Sequence, residues 1–140
     1  GGKMKKTFIG FLGASILCGA EFNAQMSDYI EELKLQAKSD NANFVDFNAK
    51  RGGIIFSTKN IGKDGQNISC QSCHGVDLSK EHQNIFTNKI IAPLSPRANP
   101  VRLSDVKEVK KWLRRNFKDV YLREGSALEK GDVLYYLINQ

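Results

Sequence analysis

Apolar residues recur at intervals of three and four along much of the chain, which predicts a mostly helical domain. Ser27 can cap a first helix that runs to about Lys38. The apolar face of that helix is formed by Tyr29, Ile30, Leu33 and Ala37. A second helix is expected over residues 47–56, where Gly52 and Phe56 are one turn apart. No run of alternating apolar and polar residues predicts a strand, and no internal repeat is present.

A loop-rich middle region separates these helices from two further ones. Residues 57–69 are rich in Gly, Asn, Asp and Ser, which predicts a flexible loop. All three prolines lie within residues 78–103, and this segment is expected to be ordered but irregular. Ser104 is expected to begin a helix that runs to about Asn116, and residues 126–129 (Ser-Ala-Leu-Glu) form a capping box for the last helix. The buried stripe of the last helix is Val133, Leu134 and Leu137.

The first twenty residues have the features of a secretory signal peptide. Residues 1–3 precede Met4 and are interpreted as non-native or as a misread start. Two lysines follow, and then an apolar run at positions 8–17 that is too short to span a bilayer. Small residues precede a cleavage site after Ala20, so we expect an exported, periplasmic protein. Cleavage after Ala24 is the alternative, although Phe22 fits poorly three residues before that site. An uncleaved membrane anchor and a lipid anchor on Cys18 are the alternatives.

Composition and charge are those of a globular domain. The 140 residues are 41% hydrophobic and 26% charged, with a net charge of +6. Three lysines and no acidic residue lie in the expected signal peptide, so the remaining chain carries 18 − 15 = +3. A nucleic-acid partner is not expected, because such binding needs a larger and more clustered basic excess.

The chemistry of the chain is concentrated at residues 70–74, which read Cys-Gln-Ser-Cys-His. This is the C-x-x-C-H attachment signature of c-type haem. On one helical turn, the thiols of Cys70 and Cys73 can reach the two vinyl groups of the macrocycle, and His74 becomes the proximal iron ligand. The sequence therefore predicts one covalent haem c. Its apolar surface would complete a modest core, so we expect the apoprotein to be poorly folded.

Two other chemistries could use the same cysteines. A dithiol oxidoreductase normally places such a pair beside a βαβ pattern, which is missing here. A zinc site could take Cys70, Cys73, His74 and His82 as ligands, but zinc sites usually separate their ligand pairs by a dozen or more residues. Haem is favoured, since covalent haem attachment takes place outside the cytoplasm and the chain begins with an export signal.

The ligand on the other face of the iron is less evident. Electron-transfer cytochromes commonly use Met or a second His there, but no methionine follows Met26. His82 is only eight residues beyond His74 and is interpreted as a solvent-facing loop residue. Asn116 lies in the apolar stripe of its helix, where a buried amide needs a partner. Either it bonds backbone at the helix C-terminus, or it faces the iron. Two further members of that stripe are Val109 and Trp112.

Several segments resemble the sphaeroides haem protein family in order and spacing. They are residues 87–105, 109–116 (Val-Lys-Lys-Trp-Leu-Arg-Arg-Asn) and 129–134, preceded by a segment at 50–56 that is similar to the N-terminal helix of cytochromes c. The resemblance implies an all-α, class-I-like cytochrome c domain over residues 45–140, with four or five helices around one haem. Residues 21–44 then form an N-terminal helix and linker.

The resemblance also implies how the iron is used. Members of the family are small periplasmic monohaem cytochromes in which the residue matching Asn116 is the sixth ligand, and the reduced iron is high-spin and binds diatomic gases. They are thought to receive electrons from a dihaem cytochrome c linked to a membrane b-type cytochrome. We therefore expect an electron-transfer protein whose distal site opens to O2 or NO on reduction, with oxidase or reductase activity as one outcome and a plain electron shuttle as the alternative.

The chain departs from the family pattern at two places. Phe117 and Gly125 stand where the family has a disulfide, so the expected loop over residues 118–124 lacks that cross-link. Disulfides stabilise by about 2–4 kcal/mol in general, and Asn116 is expected to be held less firmly without one. Asn88 stands where the family tends to have glycine, which is expected to alter only a turn.

Overall fold

The computed structural model describes residues 19–140, so residues 1–18 of the expected signal peptide, with Cys18, lie outside the described part. The described part has five helices: α1 Ala24–Asp40, α2 Ala49–Ser57, α3 Gln71–His74, α4 Val106–Tyr121 and α5 Ala127–Ile138. Two antiparallel pairs of two-residue strands lie between them: β1 Asn60–Ile61 with β2 Asn67–Ile68, and β3 His82–Gln83 with β4 Ile90–Ile91. The mostly helical prediction is confirmed, although no sequence pattern predicted the four strands. Among these helices, none has the length and apolar character that a membrane crossing requires.

Helix α1 begins earlier than predicted. Asn23, and not Ser27, is the N-cap, since its side chain accepts a hydrogen bond of 2.8 Å from the backbone N–H of Met26. The predicted apolar face is buried, and Met26 joins it as a fully buried residue. Helix α1 packs on α5 and α4 and extends the core on that side.

Helices α2 and α5 cross in close contact. A Cβ at Gly52 would lie 1.9 Å from the carbonyl oxygen of Asp132, so only glycine permits this approach. The buried Asp132 carboxylate accepts hydrogen bonds of 2.7 Å from the backbone N–H of Asn48 and from Arg51 Nε. Asn48 is also the N-cap of α2, which therefore begins two residues later than expected. The crossing fixes the N-terminal and C-terminal parts of the domain against each other and buries Phe56.

The segment expected to be a flexible loop at residues 57–69 is ordered. It forms the β1–β2 pair, with Asn60 opposite Ile68, around a short 3₁₀ turn at Lys63–Gly65. The prediction failed because two-residue strands are too short to show a period of two. In the next irregular segment Asn88 has φ +57°, which explains how it can replace a glycine in a turn.

Helix α4 is longer than predicted. Asp105 caps it by accepting a hydrogen bond of 3.1 Å from the backbone N–H of Glu108, and the helix continues to Tyr121. Much of the expected loop over residues 118–124 is therefore helical. The capping box at residues 126–129 and the buried stripe of α5 are confirmed.

Candidate functional site

A cavity of about 1000 Å³ lies between the short motif helix α3, the irregular segment after it, and α4 and α5. This volume is at the upper end of the range of about 300–1,000 Å³ that is usual for ligand sites. Cys70, Cys73, His74 and Asn116 all line it, so the structure brings the four residues predicted from sequence to one cavity. Most of the other wall residues are apolar: Phe56, Ile68, Phe86, Ile90, Ile91, Ala92, Leu94, Val101, Leu103, Val109, Trp112, Leu113, Phe117, Val120, Val133, Leu134 and Leu137.

The motif forms one turn of helix, as its spacing predicted. The backbone N–H of His74 donates to the carbonyl of Cys70 at 3.1 Å, and Ser72 Oγ accepts from the backbone N–H of Ser69 at 2.9 Å. Both thiols are free and partly buried on the cavity wall. Burial raises the pKa of Cys70 to about 12, so in the chain without cofactor this thiol is protonated at neutral pH.

The imidazole of His74 is held neutral. Burial is the main cause that lowers its pKa to about 4, and the positive charges of Arg102 and His82 lower it further. Its Nδ1 is buried and has no hydrogen-bond partner among residues 19–140. A neutral buried imidazole beside two free thiols, on the wall of a large apolar cavity, is the donor set that haem c requires. The residues present therefore fit the cofactor.

His82 is not the solvent-facing loop residue that was predicted. It is half-buried in β3, where its ring packs so closely on Gly75 that a Cβ there would lie 2.1 Å from the ring. Its Nε2 is 3.0 Å from the carbonyl oxygen of Asp77. His82 does not line the large cavity, and among residues 19–140 no three His, Cys, Asp or Glu side chains form a group that could hold a metal ion.

Asn116 is half-buried on the cavity face of α4, between the buried residues Leu113 and Phe117. The helix continues five residues beyond it, so the interpretation of Asn116 as a helix C-terminal residue that bonds backbone is wrong. Its side-chain amide makes no hydrogen bond with the described residues. An amide in this apolar stripe was expected to need a partner. Since the described residues supply none, the partner of Asn116 is expected among the contents of the cavity.

Trp112 lies at the mouth of the cavity. The residue is 45% exposed, and its Nε1 donates a hydrogen bond of 3.2 Å to Glu108. The guanidinium of Arg115 lies 5.5 Å from the centre of the ring. The tryptophan is thus less buried than its place in the apolar stripe predicted, whereas Val109, one turn before Leu113, is buried as expected.

Phe117 and Gly125, which stand where the resemblance implied a disulfide, contact each other. Phe117 is buried, and a Cβ at Gly125 would lie 2.8 Å from ring atom Cε2. An aromatic ring over a glycine therefore joins α4 to the segment before α5. Arg123 adds an ion pair with Glu129 at 2.7 Å in the same segment.

Sequence reasoning did not identify Arg102, a half-buried charged residue of the cavity wall. Arg102 lines the cavity and donates hydrogen bonds to the carbonyl oxygens of Ala92 and Pro93. The only signal in the sequence is a basic residue between the apolar Val101 and Leu103.

Comparison with known proteins places this site in context. A family model described as a domain of unknown function (DUF1924) matches residues 42–137. The cytochrome c-type protein SHP of Cereibacter sphaeroides is 40% identical over 92 residues, which cover 66% of this chain and 70% of that protein. Cytochrome c'' of Methylophilus methylotrophus is 32% identical over 89 residues, which cover 64% of this chain and 62% of that protein.

Solved structures agree with these sequence matches. Oxidized cytochrome c'' from Methylophilus methylotrophus superposes with a TM-score of 0.72 at 27% identity, over 82% of this chain and 94% of that one. Oxidized SHP, described as an oxygen-binding cytochrome c, superposes with a TM-score of 0.70 at 36% identity, over 82% and 96%. The class-I-like fold is confirmed. The chain therefore belongs to the DUF1924 family and is a c-type cytochrome related to the sphaeroides haem protein, as its sequence resemblance predicted.

Proposed function

We propose that the chain is an electron-transfer cytochrome with one covalent haem c, in which Asn116 closes the distal position in the oxidised state and leaves it on reduction. Cys70 and Cys73 would hold the macrocycle through thioether bonds, and His74 would be the proximal ligand. When bound, the haem supplies one-electron redox chemistry and an iron coordination position that a diatomic gas such as O2 or NO can occupy. Small oxidase or reductase activity on such species would extend this function.

The observation that carries the proposal is the composition of the cavity wall. Among the described residues that line it, His74 is the only histidine, and there is no methionine. Met26 is fully buried in α1 away from the cavity, and His82 packs against Gly75. This leaves the unbonded amide of Asn116 as the side chain best suited to the distal position.

The chemistry of an amide explains why the site would respond to the redox state. An amide oxygen is a hard, weak donor that suits Fe(III) better than Fe(II). Asn116 is therefore expected to release the distal position on reduction. Leu113 and Val109 keep the surroundings apolar, and the amide N–H of Asn116 can donate a hydrogen bond to a bound gas.

Three proteins with different residues at position 116 test this function. Optical spectra are recorded for the oxidised, dithionite-reduced and carbon-monoxide-treated states. The native protein is expected to be high-spin when reduced and to bind carbon monoxide. Asn116→Ala keeps the haem but loses the redox-linked change of ligand, because the amide is absent in both states. Asn116→His introduces a strong ligand, so its reduced form is expected to be low-spin and to resist carbon monoxide.

The alternative function, a plain electron shuttle, gives a different result. A native reduced form that is low-spin and indifferent to carbon monoxide would mean that a strong distal ligand persists. Absence of covalent haem after denaturing electrophoresis would exclude both functions. Unchanged spectra in Asn116→Ala would exclude Asn116 as the ligand.

The expected electron donor is a dihaem cytochrome c coupled to a membrane b-type cytochrome, and the expected location is the periplasm. The polar face of α4 carries five basic side chains, of which Lys111 is half-buried and the others are exposed: Lys107, Lys110, Lys111, Arg114 and Arg115. Lys110 pairs with Glu32 and Lys111 with Glu108. The remaining cations can attract an acidic redox partner, and electron transfer that slows with added salt would support this docking.

A further inference from the structure

Arg102 is a half-buried cation on the wall of the large cavity, and it has no acidic partner among residues 19–140. Its Nε donates a hydrogen bond of 3.0 Å to the carbonyl oxygen of Pro93, and Nη2 donates one of 2.9 Å to that of Ala92. A guanidinium has five N–H groups. Three of them are therefore not used by the described residues. The two backbone carbonyls hold the side chain in place without neutralising its charge.

A half-buried charge without a counter-ion is costly, since burial removes hydration that nothing replaces. Burial accordingly lowers the pKa of Arg102. Two carboxylates are in the neighbourhood, but neither is within ion-pair distance. Asp105 lines the same cavity, and Glu21 lines a second cavity of about 250 Å³ whose wall Arg102 also shares.

Arg102 differs from the other cations that line the large cavity. The others are exposed to solvent: Lys63, Lys89, Arg115 and Lys118. Lys63 and Arg115 also lie over the aromatic rings of Phe86 and Trp112. Only Arg102 combines burial, fixed position and unused donors, so it is the cation best placed to meet an anion inside the cavity.

We propose that Arg102 binds a propionate carboxylate of the haem, an inference that rests on the proposed covalent haem. A planar guanidinium matches a carboxylate through parallel N–H···O hydrogen bonds. The same carbonyl of Pro93 also accepts a hydrogen bond of 3.1 Å from Asn99, which lines the cavity as well. Arg102 is thus a positioning residue that anchors one edge of the cofactor. Its charge also favours the reduced iron, because it compensates a propionate charge that otherwise stabilises Fe(III).

The test compares Arg102→Gln and Arg102→Lys with Arg97→Gln in the haem-loaded protein. Arg97 is an exposed arginine in the same segment and does not line either cavity, so its variant controls for loss of a positive charge. Two quantities are measured: the resonance Raman bending mode of the haem propionates, which reports their hydrogen bonds, and the midpoint reduction potential. Covalent haem is quantified first in every variant.

In Arg102→Gln, the propionate mode is expected to move to lower frequency and the midpoint potential to fall. Arg102→Lys is expected to restore most of the midpoint potential, because the positive charge remains. It is expected to restore the frequency of the Raman mode to a smaller extent, because the parallel N–H donors of the planar guanidinium are lost. Arg97→Gln is expected to leave both unchanged. An unchanged propionate mode in both Arg102 variants would overturn the proposal, even if the potential moved. Absence of covalent haem in the native protein would instead refute the proposed function.

Discussion

Replacing Gly125 by alanine tests whether the Phe117 ring holds the segment that follows α4. The added Cβ would lie 2.8 Å from Cε2 of the ring and 2.9 Å from Cδ2 and Cε1. Optimal carbon–carbon contacts are about 3.5–4.0 Å, so the ring or the segment must move by at least about 0.7 Å. Gly125 does not have a positive φ, so alanine causes no backbone strain and the cost comes from packing alone.

The expected change in the free energy of unfolding is the difference between two opposing effects. Overpacking a buried contact costs about 1–3 kcal/mol. Replacing glycine by alanine at a compatible backbone conformation returns about 0.4–1 kcal/mol, because the unfolded chain loses freedom. Gly125→Ala should therefore lower the free energy of unfolding by about 1–2 kcal/mol. In a Phe117→Leu background the ring is absent, and the same alanine is expected to be neutral or slightly stabilising.

Urea unfolding of the four haem-loaded proteins in this double-mutant cycle measures the coupling between the two positions. A coupling energy of about 1–3 kcal/mol is expected, since the overpacking exists only when both the ring and the new methyl group are present. The reasoning is refuted if Gly125→Ala costs the same free energy in both backgrounds. That result would show that the ring is not what fixes this segment.

Three further predictions concern the helix crossing, the acid response and the cofactor. Gly52→Ala should lower the free energy of unfolding by about 3 kcal/mol or more, because its Cβ would meet the backbone of α5. Gly53→Ala should stay within about 1 kcal/mol of the native protein, since its Cβ meets only the movable ring of Tyr136 at 3.2 Å. Urea unfolding of both variants measures the difference. The hydrogen bonds from Arg123 are the main cause that lowers the pKa of Glu129. This carboxylate therefore stabilises the fold above the ordinary carboxyl pKa, and the stabilisation is lost as the pH falls through the lowered value. In Glu129→Gln, thermal unfolding across acidic pH should show a smaller loss of stability. Replacing both motif cysteines by serine should abolish the cooperative thermal transition followed by circular dichroism, and a cooperative transition without haem would contradict it.

The sequence predicted those parts of the site that depend on local spacing. The C-x-x-C-H turn is fixed by residues within five positions, and the stripe that carries Asn116 is fixed by the period of one helix. Parts that depend on distant partners were not predictable. Arg102 is held by carbonyls nine and ten residues away in an irregular segment, and a periodic sequence pattern does not predict such contacts.

The errors at the ends of elements have a related cause. Ser27 and Asn23 are both acceptable caps, and the choice of Asn23 is favoured by tertiary contacts, since its Nδ2 donates a hydrogen bond of 2.8 Å to the carbonyl of Ser104. Likewise, α4 continues past Asn116 because Phe117 and Val120 are buried beyond it. Burial of these side chains stabilises the last turns of α4, which local composition alone did not predict to be helical.

The cavity and the hydrophobic core share residues, and under the proposed function this limits how Asn116 could leave the iron. Leu113 and Phe117, its neighbours on either side in the stripe, belong both to the cavity wall and to the buried core. Displacing α4 would disrupt both contacts and lift the Phe117 ring from Gly125, at a cost of several kcal/mol. Rotation of the Asn116 side chain costs far less, since its amide has no hydrogen bond to break within the described chain. We therefore expect the distal site to open by side-chain rotation on a fixed helix.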